Sequence, residues 1–282
     1  MKKFLFVLVT MVMSLVSCTD QQFSQEALAG DTSIVAYNEF STLIEQARWG
    51  NGQAFLKLAD CYRDGKGVDK DFVGMLSMVA QADEFGSINQ MEDYLKELPE
   101  GSDFRMIFDA IEMLDNKHVE EAQSLSEQLL AKGLSDGYVV QGIMAIENSD
   151  TLGGLRLIER AASEGSSFAN LILCLPEWQR EKKPDVEKLK NMSEKIPYIN
   201  MILAKMYMGE EDESMQDNQL AAHYLLKADE NACLSTRGAR WLLYYHRCIR
   251  NLPLSKRDIQ RLRVLAGEVS VRGNGTAIIH GS

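Results

Sequence analysis

From residue 33 onward, apolar residues return every three or four positions, and few segments alternate apolar with polar residues as half-buried strands do. Only 5 prolines interrupt the 282 residues, so the pattern predicts an all-α protein. Helical periodicity covers 33–48, 52–63, 71–85, 88–98, 104–115, 118–132, 136–147, 151–164, 167–179, 185–195, 198–208, 217–230, 236–249 and 256–268. Segment 88–98 breaks an otherwise paired series, because Pro99-Glu100-Gly101-Ser102 cuts it off and the pattern restarts at Asp103.

The stretch between the second and third segments shows how neighbouring helices are expected to meet. Gly65 and Gly67 allow backbone conformations that a side chain would oppose. Val68 is placed to fill the apolar seam beneath the turn, Asp71 to cap the following helix through its carboxylate, and Gly86 to end that helix in a left-handed conformation. Leu58 and Tyr62, four residues apart, share one helix face, while Ala54 and Ala82 are small enough to let two helices approach closely. Two close glycines could also suggest a phosphate cradle. No Lys-Ser/Thr follows them and no strand precedes them, so the stretch reads as a corner between helices.

At these offsets Gly50, Ala54, Leu58, Tyr62, Gly65, Gly67, Val68, Asp71, Ala82 and Gly86 resemble a Sel-1-like repeat, a subclass of the tetratricopeptide-like helical hairpins. The second-helix register recurs with fewer matches from Asp150 through Ala169 and from Asp217 through Ala232, and Leu203-Ala204-Lys205-Met206-Tyr207 echoes the residues that end at Tyr62. The later copies lack the Gly-x-Gly-Val corner. The resemblance implies a right-handed α-solenoid of stacked antiparallel hairpins over 33–270, forming one structural domain with a continuous core and a flexible tail at 271–282. It also implies an adaptor.

The N-terminus has a different character. Lys2 and Lys3 precede an apolar run from Phe4 to Val16, which leads into Leu15-Val16-Ser17-Cys18 and resembles a bacterial lipoprotein signal. That resemblance implies that residues 1–17 are removed and that Cys18 carries the lipid. Thr19, rather than aspartate, after the cysteine implies an outer-membrane destination facing the periplasm. Residues 18–32 then form a polar tether with an r.m.s. span of roughly 20 Å.

Charge narrows the range of partners. The chain carries a net charge of −11, and losing Lys2 and Lys3 makes it more acidic still, which argues against general nucleic-acid binding. Residues 234–282 reverse the sign, with nine Lys/Arg against Asp258 and Glu268. Within them Trp241, Tyr245, Arg247, Arg250, Arg257 and Arg261 form the candidate partner-binding cluster, with Trp241 and Tyr244 expected in the core and the arginines expected to project outward. The alternative is a polar terminal cap whose arginines pair with acids of the preceding hairpins.

No catalytic constellation, metal site or cofactor motif accompanies this cluster. His118, His223, His246 and His280 are scattered without zinc-ligand spacing, and no serine sits in a Gly-x-Ser-x-Gly elbow. Besides Cys18, the cysteines are Cys61, Cys174, Cys233 and Cys248, expected as buried free thiols; the last two flank one helix and cannot bridge across it. The expected function is a non-catalytic protein–protein scaffold of the bacterial envelope, lipid-anchored, that binds a partner protein on the concave face or at the basic end. An anionic envelope polymer is a second candidate for that end. Two alternatives stay open: a glycan or peptidoglycan binder, and a β-lactam-binding hydrolase of the Sel-1-like type, whose regularly paired cysteines this chain lacks.

Overall fold

The structure, a computed structural model, describes residues 36–88, 91–174, 186–194, 196–209, 212–271 and 277–279. Cys18 and the rest of the expected signal and tether lie outside them, as does His280. Fourteen α-helices occur among the described residues: α1 Ala36–Arg48, α2 Gly52–Asp64, α3 Phe72–Glu84, α4 Met91–Lys96, α5 Asp103–Asp115, α6 Val119–Ala131, α7 Asp136–Glu147, α8 Thr151–Ser163, α9 Ser167–Cys174, α10 Val186–Ser193, α11 Ile199–Tyr207, α12 Asn218–Glu230, α13 Thr236–Cys248 and α14 Lys256–Leu265. A 3-10 turn at Glu213–Met215 precedes α12. Helix follows helix where the apolar period expects one, and most consecutive helices pack on each other. The irregular segment is α4, only six residues long.

One feature was not expected. The strands β1, Val269–Val271, and β2, Ala277–Ile279, pair antiparallel, with Val269 opposite Ile279. Three-residue strands lie below the length at which alternation can be read from sequence.

The described residues form two compact units. In unit 1, which gathers 71–73 with the chain from α4 through Met192, glycine sets the helix spacing. A β-carbon on Gly142 of α7 would lie 2.8 Å from the Gly154 carbonyl of α8, and one on Gly154 would collide with the Gly142 carbonyl in return. A β-carbon on Gly137 would stand 2.6 Å from the Ser126 carbonyl of α6. The aromatic centre is Phe72, whose ring meets Phe104 and Phe168 edge-on at 5.4 and 5.6 Å.

Unit 2 combines the described residues up to Lys70, residues 74–88 and the described residues from Ser193 on. Here α2 and α3 form the hairpin in which the repeat signature was read. Ala54, Leu58 and Ala82 are fully buried and Tyr62 nearly so. Tyr62 lies where a β-carbon on Gly74 would sit 2.6 Å from its ring, and Phe55 stacks on Phe85 at 5.4 Å. Gly65 and Gly67 have φ of +72° and +74°, and Gly86 has +67°. Asp71 stands directly before the first residue of α3. Asp217, where the recurring register restarts, caps α12: its side chain accepts the N–H groups of Gln219 and Leu220. The Asp150 side chain likewise accepts from Gly153 at the start of α8, in unit 1.

Unit 2 also joins the beginning of the described chain to its end. Helix α1 touches α12, and Arg257 of α14 donates to Glu45 of α1 at 2.7 Å across 212 residues of sequence. Stacking of consecutive hairpins alone does not call for such contacts.

Candidate functional site

Helix α13, TRGARWLLYYHRC, contains no acidic residue. The Ser235 side chain caps its start by accepting the Gly238 N–H. Its packing face is set by Gly238, Ala239, Leu242, Leu243 and Tyr245, all buried. Gly238 brings the helix close to its neighbours, since a β-carbon there would stand 3.2 Å from Met201 Cε of α11.

This register moves the aromatics by one position from the sequence reading. Tyr245, expected to meet a partner, is 1% exposed, whereas Tyr244, expected in the core, is 51% exposed. The small residues Gly238 and Ala239 decide which stripe faces inward, and positions 242 and 245 follow from them at helical spacing. Trp241 is half-buried between the two, stacked on Tyr245 at 5.6 Å and edge-on to Tyr244 at 5.5 Å. Arg237, Arg240 and Arg247 are exposed on the same helix, and Arg250 just beyond its end. The outward face of α13 is therefore a tyrosine at the edge of a tryptophan, flanked by cations at helical spacing on both sides.

Arg261 requires a second correction. It was expected to project outward, but it is 1% exposed, on the same face of α14 as Leu262 and Leu265. Its guanidinium forks onto Asp229 of α12, Nη1 to Oδ1 at 2.7 Å and Nη2 to Oδ2 at 2.5 Å. Nη1 also donates to the Arg48 carbonyl at 3.0 Å, and Arg48 Nη2 donates to Asp229 Oδ2 at 2.9 Å. Burial works against the charge of Arg48, but the adjacent Asp229 outweighs it and moves the guanidinium pKa upward. A carboxylate gripped by two arginines is chemically occupied. The cluster fastens α1, α12 and α14 together rather than offering a reactive group.

The remaining candidates are dispersed. Cys174 and Cys233 are buried thiols, Cys174 donating to Met192 Sδ at 3.2 Å, and burial pushes Cys233 up to about 12. Cys248 departs from the expected burial: it is a free, exposed thiol at the end of α13. His223 is exposed on α12 with its ring 5.1 Å from that of Tyr224, and partial burial and the neighbouring Lys227 lower its pKa against the pull of Glu230. No group of three or more His, Cys, Asp or Glu among the described residues is arranged to hold a metal ion.

No family model, curated protein or solved structure matches this chain. The fold itself establishes an all-helical protein whose fourteen described helices pack mainly in sequential pairs.

Proposed function

We propose that this chain is a non-catalytic scaffold of the bacterial envelope, a Sel-1-like helical repeat array anchored through a lipid on Cys18, and that it binds a partner protein. The repeat reading draws on the α2–α3 hairpin, where buried small residues, left-handed corner glycines and an aspartate directly before the second helix stand at the offsets that such repeats use. The observation that carries a binding role is the outward face of α13, on which half-exposed Tyr244 stands among Arg240 and Arg247 with Trp241 beside it. Tyrosine, tryptophan and arginine are the side chains that most often anchor protein interfaces, because each buries a large area and still makes directional polar contacts.

The test is in-cell crosslinking of the full chain followed by mass spectrometry, with two variants alongside. Arg247→Glu/Arg250→Glu/Arg257→Glu should lose the crosslinked partner while keeping its helical circular dichroism. Arg261 is left intact because it belongs to the core. Cys18→Ser should remain unprocessed and without lipid. Undiminished crosslinking by the triple variant would refute binding at this end, and normal trimming of Cys18→Ser would refute the anchor.

A further inference from the structure

Glu84, the last residue of α3, reaches the start of α13. Its Oε1 accepts the Thr236 backbone N–H at 2.8 Å, across 152 residues of sequence. The N-terminus of α13 thus has two acceptors of different origin: Ser235 serves Gly238 from within the local turn, and Glu84 serves Thr236 from a distant helix of the same unit. The other carboxyl oxygen, Oε2, is shielded from solvent and has no hydrogen-bond partner. One turn earlier on α3, Gln81 is 1% exposed; its Nε2 donates to the Cys233 carbonyl at 3.4 Å, and its Oε1 is also a buried acceptor without a partner. Two unsatisfied buried acceptors on one helix face are costly if the carboxyl is ionised. A carboxyl that keeps its proton supplies the missing donor on Oε2.

We propose that Glu84 is a proton-binding clasp between α3 and α13, which holds the two helices together as a neutral carboxylic acid and weakens their contact when its proton leaves to solvent.

The charges around it do not reverse this. Arg240 of α13 and Lys205 of α11 both favour the carboxylate, as do hydrogen bonds from the main chain and side chain of Thr236, yet burial exceeds them all and pushes Glu84 up to about 7. Arg240 is partly engaged elsewhere, donating from Nε to the Ala266 carbonyl at 3.1 Å. Because the folded state binds the proton more tightly than the unfolded chain, this contribution is complete below the ordinary glutamate range. It declines as pH rises from about 4.5 to about 7, then levels off. The same helix α13 carries Tyr244 and Arg247, so the clasp adjusts how firmly that face is held, whatever binds there.

Glu84→Gln keeps the acceptor for Thr236 and places a permanent donor where the proton would be. Denaturant midpoints of wild type and variant should nearly coincide at about pH 5, while at about pH 8 the wild type falls below the variant. Parallel pH profiles, or a variant that is weaker at both pH values, would overturn the proposal. A direct measurement does not depend on the variant folding: the side-chain carboxyl carbon of Glu84 in the wild type, followed by NMR, should titrate near neutrality. A midpoint in the ordinary glutamate range would overturn the proposal as well. Neither outcome bears on the scaffold reading, which stands or falls on crosslinking.

Discussion

A β-carbon on Gly133 would meet nothing within 4 Å, yet its φ is +79°, so only the backbone demands glycine there. Leu134 N–H closes the turn onto the Leu129 carbonyl at 3.0 Å, and the same closure follows α7, α8 and α12. At those three ends the left-handed residue is Ser149, Gly165 and Ala232 in turn. Gly133→Ala should therefore cost about 1 kcal/mol, purely as backbone strain. Gly154→Ala should cost about 1–3 kcal/mol, because its new methyl would also press on Ile146 Cγ1 at 2.5 Å. Denaturant unfolding of the two variants gives the order, and the reverse order would show that α7 and α8 can separate at little cost. The corners at Gly65, Gly67 and Gly86 were legible in the sequence because their residue type announces the conformation. Those at Lys117, Ser149 and Ala232 were not, since a non-glycine residue at positive φ leaves no mark in the sequence.

Among the elements, helix positions were legible because each helix buries one face, and that face repeats at the helical period. The register of a single helix was harder to read. In α13 three aromatics compete for attention, while the inward stripe is decided by Gly238 and Ala239, which contribute little hydrophobicity but let α13 come close to Met201. In the α2–α3 hairpin Ala82 is fully buried, and its carbonyl accepts the Ser87 N–H at 2.8 Å. Ala82→Leu should overpack that helix and cost about 1–3 kcal/mol. Thermal unfolding followed by circular dichroism measures this, and an unchanged midpoint would show that the contact can open to admit four-carbon side chains.

In the chain as a whole, unit 1 is built largely from one continuous stretch, whereas unit 2 draws together segments more than 180 residues apart. That joining was not legible. Asp229 and Arg261 look like surface charges in sequence, and nothing there announces the two-pronged pair they form in the core with Arg48 as a third member. Removing Arg261 leaves the buried Asp229 carboxylate to Arg48 alone. Arg261→Ala should cost about 3–5 kcal/mol, measured by denaturant unfolding, and a loss near that of a surface arginine would mean the cluster is open to water. The same clasp of start to end sets a timetable for synthesis. A chain emerging from the ribosome presents α1 long before α12 and α14, which touch it in the folded protein, have been made. Contacts of such sequence separation form late. Helix α1 must therefore wait for partners made much later, and a message cut short before Lys256 would deliver a protein in which Glu45 and the Arg48 carbonyl of α1 have lost Arg257 and Arg261, even with every residue of unit 1 present.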